Sequence, residues 1–143
     1  MRILIMGLPG SGKTTLAKEL VRCLQTSDSV DWLNADAVRR TAGDWDFSRV
    51  GRLRQGRRMA ELADQSTANH VVADFVTPLP EMREAFRADL VVWVDTLERS
   101  RFPDTDEMFF PPADPDFRIQ EQDAAKWASR IAEAIRMKVG NSH

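Results

Sequence analysis

The sequence predicts an α/β fold: a three-layer α/β/α sandwich around a mostly parallel central sheet of four to five strands. Three observations carry this. Short strand-like runs recur at 2–6, 30–33, 70–75 and 90–95. Segments with helical spacing or helix-start signals lie between them. A glycine-rich stretch, Gly7-Leu8-Pro9-Gly10-Ser11-Gly12-Lys13-Thr14, joins the first run to the first helical segment. Strands that alternate with helices need crossover connections, so they pair in parallel and carry helices on both faces.

Arg2-Ile3-Leu4-Ile5-Met6 is the first strand, and Leu16, Ala17, Leu20, Val21 and Leu24 mark the apolar face of the helix that follows. Val30-Asp31-Trp32-Leu33 reads as a second strand ending at Asn34-Ala35-Asp36, with a short helix over 37–41 and a loop at 43–46. Ser48 is an N-cap for a long helix over 49–68. On that helix Arg52, Gln55, Met59, Leu62 or Ala63, and Ser66 share one stripe, polar at its start and apolar later. A buried stripe that turns polar at one end points into a site. His70 to Phe75 is a third, buried strand, and Pro78 opens a helix running to Phe86. Leu90 to Asp95 is the fourth strand. Residues 96–115, rich in Pro, Asp and Phe and without a clear period, read as a mobile loop over the site. Phe117-Arg118-Ile119 adds a short fifth strand, and 124–139 an amphipathic helix with Trp127, Ile131, Ile135 and Val139 inward. Residues 140–143 are expected to fray.

The glycine-rich stretch is G-x-x-x-x-G-K-[ST] in the context it needs, strand before and helix after. It specifies a phosphate loop, and with the alternating elements a P-loop NTPase fold. Its glycines let backbone N–H groups wrap a phosphate at a helix N-terminus. Gly7, Leu8, Pro9, Gly10, Ser11, Gly12, Lys13, Thr14 and Thr15 are the expected ATP-binding residues. Lys13 reaches the β- and γ-phosphates, and the Thr14 hydroxyl ligates Mg²⁺.

The 143 residues suit one domain, spanning 1–143. A net charge of −2 gives no general reason to expect nucleic-acid binding. The single cysteine, Cys23, excludes an internal disulfide and reads as a small buried apolar residue. The N-terminal apolar run is too short for a signal peptide or a membrane span, so a cytoplasmic location and no membrane partner are expected. His70 and His143 have no partners that suggest metal binding, and no Cys/His cluster points to structural zinc.

In parallel sheets ligands bind at the carboxyl ends of the strands. Asp36, Asp74 and Asp95 fall there with the phosphate loop. Asp36 either caps the following helix or faces the γ-phosphate, accepting a proton from a substrate hydroxyl or holding a metal-bound water. Arg39, one turn on, either clamps a substrate anion or is solvated. Asp74 is placed to hold Mg²⁺ through water, whereas Asp95 reads as structural. Seven arginines lie between positions 39 and 58. Most read as a solvated face, but Arg52 shares the inward stripe with Gln55. Phe47 and Phe102 stand beside loops rather than in periodic runs, so either packing or stacking on a base fits them.

These residues together resemble the adenylylsulfate (APS) kinase family over most of the chain. The segment 7–15 is similar to that family's P-loop. Asn34-Ala35-Asp36-Ala37-Val38-Arg39 sits where the family has Asp-Gly-Asp-Asn-Val-Arg. Phe47-Ser48 through Arg52, Gln55, Arg57-Arg58 and Glu61 matches its Phe-Ser…Arg…Asn…Arg-Arg…Glu pattern. Phe75-Val76-Thr77-Pro78 resembles its Phe-Ile-Ser-Pro. Phe102, Asp106, Pro112, Pro115 and Arg118-Ile119 keep the spacing of the segment that ends its lid. The resemblance implies an ATP-dependent kinase that phosphorylates the 3′-hydroxyl of adenylylsulfate, with Mg²⁺, ATP as donor and a place in sulfate assimilation. It marks Asp36 and Arg39, together with Lys13 of the P-loop, as catalytic residues; Thr14 and Asp36 are expected around the metal, and Asp74 through water by its strand-end position, where the family has no carboxylate. The acceptor would meet Asp36, Arg39, Phe47, Arg52, Gln55, Phe75 and Phe102, with Phe47 and Phe102 sandwiching its adenine. Thr77 replaces a serine that forms a phosphoenzyme in some members and receives no catalytic role.

The chain departs from this pattern in three places. Asn34 replaces the first acidic residue of Asp-Gly-Asp, and Asp74 stands where the family has serine. The helical lid, with its arginine and lysine, is shortened to Leu97-Glu98-Arg99-Ser100-Arg101 before Phe102. Lid charge must then come from Arg99, Arg101 or a partner. The partners expected are small-molecule nucleotides. Nucleic acid enters only under an alternative, because Asp36-x-x-Arg39 is also similar to polynucleotide 5′-kinases. A second alternative is a non-catalytic nucleotide-binding module. No motif reports a dimer interface, and a homodimer is left open.

Overall fold

The computed structural model describes residues 1–140. Its strands are β1 (Arg2–Met6), β2 (Val30–Asn34), β3 (His70–Asp74), β4 (Leu90–Val94) and β5 (Phe117–Ile119). Its helices are α1 (Lys13–Leu24), α2 (Ala35–Ala42), α3 (Arg49–Gln65), α4 (Pro80–Phe86), α5 (Pro103–Met108) and α6 (Ala124–Gly140). The strands form one all-parallel sheet in the order β2-β3-β1-β4-β5.

The central strand β1 is apolar throughout its last four residues because both of its faces are covered. Side chains alternate across a strand, so Ile3 and Ile5 pack with Val72, Val92, α1 and α6. Leu4 and Met6 face the other way, against Ala73, Met59 and Ala63 of α3, and Met82 and Phe86 of α4. Replacing the fully buried Ile131 of α6 with Ala would cost about 2–5 kcal/mol, since the cavity left between α6 and α1 cannot collapse fully. The chain leaves β1 for β2 on one side and later reaches β4 on the other, so a crevice opens at the carboxyl end of β1.

Several boundaries differ from expectation. The long helix stops at Gln65, because Ser66 turns to an extended conformation. The fourth helix begins at Pro80, with Pro78 in the loop before it. The segment 96–115, read as a loop without period, contains α5, one and a half turns started by Pro103. Six residues are too few to show a hydrophobic period. On α6, Ala128, Ile131, Ala132 and Ile135 are buried and Trp127 is half-buried, but Val139 is 40% exposed: the last turn runs past the end of the sheet. Cys23 is half-buried at the edge of the core rather than within it. Gly140 ends α6, and the fraying expected for residues 141–143, His143 included, lies outside the described residues. Among the described residues, no helix is long and apolar enough to cross a membrane.

Candidate active site

The phosphate loop runs from β1 into α1. At Gly7 φ is +153°, and an added Cβ would meet the carbonyl oxygen of Val94 at 2.4 Å, so no other residue fits. Gly12 is the N-cap of α1 at φ +104°. It offers no side chain to the first-turn N–H groups, and no acidic residue stands in that turn. Those donors therefore face the crevice, ready for an anion. Lys13 Nζ arcs back to donate to the Leu8 carbonyl at 2.9 Å. Burial lowers the Lys13 pKa to about 8, against the attraction of Asp74 and Asp36.

Beside the loop, Asp74 at the end of β3 is 2% exposed and accepts three hydrogen bonds. Trp32 Nε1 donates to its Oδ1 at 2.7 Å. Thr14 Oγ1 and Asn34 Nδ2 donate to its Oδ2 at 2.8 and 2.9 Å. Asn34 is the register partner of Asp74 across the β2–β3 pair, and its Oδ1 also caps α2 through Ala37 N. An amide does both jobs at once, one end donating and the other accepting. An aspartate at position 34 would face Asp74 with like charge. Burial pushes the Asp74 pKa up, while the three hydrogen bonds and Lys13 pull it down.

A cleft of about 1120 Å³ spreads from the loop across the top of the sheet. Lys13, Thr14, Asp36 and Asp74 line it, as do Phe47, Arg52, Arg101, Phe102 and Thr105. Asp36, in the first turn of α2, is exposed to the cleft. Arg52 is 6% exposed. Its Nε donates to the Phe47 carbonyl at 3.2 Å and a guanidinium nitrogen to Thr105 Oγ1 at 2.5 Å. With no carboxylate partner among the described residues, its pKa is pushed down by burial and by Arg39.

The structure brings most of the expected site residues together. Pro9, Gly10, Gly12, Lys13, Thr14, Thr15, Asp36, Phe47, Arg52, Asp74, Phe75 and Phe102 all line the cleft. Gly7, Leu8 and Ser11 shape the loop from behind its lining. Gln55 does not reach the cleft: its amide is spent between the Ala35 carbonyl at 3.2 Å and Arg58 at 2.6 Å. Arg39 is also set back, donating to the carbonyls of Asp44 and Asp46. Its guanidinium lies 4.4 Å from the Phe47 ring centroid, so it backs that ring rather than lining the cleft. Helical spacing located the inward face of Gln55, and the Asp36-x-x-Arg39 spacing singled out Arg39, but neither could show that other protein groups had taken these side chains. Trp32 and Thr105 escaped the sequence reading. Trp32 sits on a strand that shows no clean alternation, and Thr105 lies in the segment read as aperiodic.

The model of the adenylylsulphate kinase family matches residues 1–100. A probable adenylyl-sulfate kinase of Aeropyrum pernix is 38% identical over 87 residues, 58% of this chain and 48% of that protein. The match thus spans about half the length of that curated relative. An APS kinase of Mycobacterium tuberculosis, solved as a cysteine-to-alanine variant, superposes with a TM-score of 0.76 at 25% identity, covering 94% of this chain and 96% of that one. The structure of the APS kinase of that organism with AMPPNP and APS gives 0.79 at 22% identity over the same shares, a likeness of fold.

Proposed function

The chain belongs to the adenylylsulphate kinase family, and from that premise we propose that it transfers the γ-phosphoryl group of ATP to the 3′-hydroxyl of adenylylsulfate. One observation carries the reading: a single cleft is lined both by Lys13, Thr14 and Asp36 and by Phe47, Arg52 and Phe102. The first set suits a triphosphate and an attacking hydroxyl. The second suits an anionic nucleotide, with two exposed rings for a base and a buried guanidinium for its anion.

In the reaction, the bond between the γ-phosphorus and the β–γ bridging oxygen breaks. A bond from the acceptor oxygen to that phosphorus forms, and ADP leaves. Asp36 takes the hydroxyl proton. Lys13 and the α1 N-terminus hold the phosphates in line. Arg52 takes the phosphosulfate, and Phe47, backed by Arg39, takes one face of the adenine.

The Thr14–Asp74 pair in the cleft fits Mg²⁺ by its donor chemistry. Thr14 gives its proton to Asp74 and accepts one long hydrogen bond from Asn34 Nδ2 at 3.3 Å, which leaves an oxygen lone pair free, and Asp74 is a buried carboxylate whose Oδ1 accepts one hydrogen bond against two at Oδ2 and so keeps capacity. Thr14 would hold the ion directly and Asp74 through water, as an oriented outer-shell partner. When bound, the ion neutralises charge on the β- and γ-phosphates.

The test is ADP release by purified protein with Mg²⁺ and ATP, offered adenylylsulfate, a 5′-hydroxyl oligonucleotide or no acceptor. Adenylylsulfate should stimulate release, and Asp36→Asn should lower kcat about 10²- to 10⁴-fold with ATP still bound. Stimulation by the oligonucleotide alone would move the acceptor to nucleic acid. ATP binding without release on any acceptor would leave a binding module.

A further inference from the structure

The two exposed rings that line the cleft stand on separate segments. Phe47 comes just before the Ser48 cap of α3, and Phe102 is the N-cap of α5. The C-terminal end of α5 is fastened to the body of the protein. Phe110 N donates to the Pro78 carbonyl at 2.9 Å, and Arg83 of α4 donates to the Phe110 carbonyl. Met108 and Phe109 pack on the core face that α3 and α4 cover. The N-terminal end is fastened by much less. Ser100 donates to the Asp106 carboxylate, and Asp106 N donates to the Phe102 carbonyl at 3.1 Å, but these bonds stay within the segment. Among the described residues, the hydrogen bond that ties residues 100–108 to another element is the one from Arg52 of α3 to Thr105.

Arg52 sits at the centre of that link. Its Nε donates to the Phe47 carbonyl at 3.2 Å, and its guanidinium lies 5.3 Å from the Phe47 ring centroid. A terminal nitrogen donates to Thr105 Oγ1 at 2.5 Å. Arg52 and Thr105 are 6% and 5% exposed, so the bond is shielded from water, yet both side chains line the cleft. One arginine thus touches the segment of each ring. Its positive charge meets a carbonyl and a hydroxyl but no carboxylate among the described residues, which leaves it uncompensated for an anion. Thr105 Oγ1 accepts from Arg52 and donates to no protein group among the described residues. Its proton is therefore available to the same anion.

Resting on the kinase reading above, we propose that Thr105 is the positioning residue that couples the anion of the acceptor to its base: by holding Arg52 it latches the helix that bears Phe102 against the helix that bears the anion site. A hydroxyl that donates to an anion becomes a better acceptor, so a seated anion strengthens the bond from Arg52. The latch in turn sets the spacing of Phe47 and Phe102. A nucleotide with a charged 5′-substituent gains both the anion contact and the closed pair of rings. A bare nucleoside meets the rings without the anion that tightens them.

The experiment compares wild type with Thr105→Val, which keeps the shape and loses the hydroxyl, and Thr105→Ser, which keeps the hydroxyl. Steady-state kinetics gives KM and kcat with adenylylsulfate. Calorimetry gives the affinity for AMPPNP with Mg²⁺ and then, with that site filled, for 5′-AMP and for adenosine. Thr105→Val should raise KM for adenylylsulfate about 10- to 100-fold, the size of one lost hydrogen bond to a charged group, with kcat within a few-fold. It should weaken 5′-AMP by a similar factor, adenosine much less, and AMPPNP not at all. Thr105→Ser should recover most of the loss. In a Phe102→Ala background Thr105→Val should cost far less than it does alone, because the ring that the latch positions is gone. Thr105→Val with wild-type KM and 5′-AMP affinity overturns the proposal. So do an equal loss for adenosine, an equal loss for AMPPNP, and losses that simply multiply with those of Phe102→Ala. If wild type gives no turnover with adenylylsulfate, the acceptor assignment has failed, and amide hydrogen exchange alone decides the latch. Thr105→Val should then speed exchange at Asp106 N, in the first turn of α5, and leave α1 and α3 unchanged. Wild-type exchange in α5 overturns the latch.

Discussion

On the β3 side of the cleft, Asp74 is buried and held by donors from Trp32, Thr14 and Asn34, each on a different element from Asp74 itself or from the lid. On the lid side, Arg101 and Phe102 are exposed, and the segment that carries them is fixed by the hydrogen bonds of one carboxylate, Asp106, and one hydroxyl, Thr105. The first wall is set by the sheet and is rigid because the sheet is. The second is set by a short helix that touches the cleft at its edge. Phosphate chemistry tolerates little misplacement, so it belongs on the first wall. Acceptor choice and closure belong on the second, where stability is lower and change costs less.

Substitutions on the two walls should separate accordingly. Lys13→Ala, on the rigid wall, should lower kcat/KM about 10³-fold or more and weaken ATP binding, because no other side chain there carries charge to the phosphates. Retained turnover in steady-state assays would remove Lys13 from the phosphate site. Asp74→Asn should raise the Mg²⁺ concentration for half-maximal activity about tenfold or more while leaving kcat at saturating Mg²⁺ within a few-fold. A uniform kcat loss at all Mg²⁺ concentrations, with a lower Tm, would make Asp74 a purely structural hub. On the lid wall, Phe102→Ala should raise KM for adenylylsulfate about 5- to 50-fold with kcat retained, the size expected for one lost base-stacking contact. An unchanged KM would remove Phe102 from the acceptor site.

The smallest effect comes from Lys13 as an acid. Its pKa of about 8 in the folded chain lies below its usual value of 10.5. Between those two values the unfolded chain holds more protons, so this group makes stability rise with pH across that window. Nucleotide phosphates favour the charged amine and raise its pKa. Binding of ATP should therefore take up part of a proton above pH about 8, and affinity should fall gently as pH rises further. Calorimetry in buffers of different ionisation heat checks this, and zero uptake would contradict it.

Much of the rigid wall was legible in the sequence because its signals are local. The loop motif, the strand before it and the helix after it lie within one stretch, and Asp36 and Asp74 follow strand ends that apolar runs define. The departure at Asn34 and the one at Asp74 each appeared in the sequence. Their pairing did not, since it depends on the register of β2 on β3. The lid wall was less legible. Six residues of α5 show no period, and the link from Arg52 to Thr105 crosses 53 positions. Gln55, read from an inward stripe, and Arg39, read from its spacing to Asp36, show the same limit: spacing cannot tell a ligand contact from a carbonyl already in reach.

If the γ-phosphoryl group ends on the 3′-oxygen of adenylylsulfate, following that group tests the proposed reaction most directly. Purified protein would be incubated with Mg²⁺, γ-labelled ATP and adenylylsulfate, and the labelled product identified by mass and by its sensitivity to a 3′-nucleotidase. Label should appear on a phosphorylated adenylylsulfate, be released by that nucleotidase, and be nearly absent with Asp36→Asn. Label that stays in ATP, or appears only as inorganic phosphate at the same rate with and without adenylylsulfate, would contradict it.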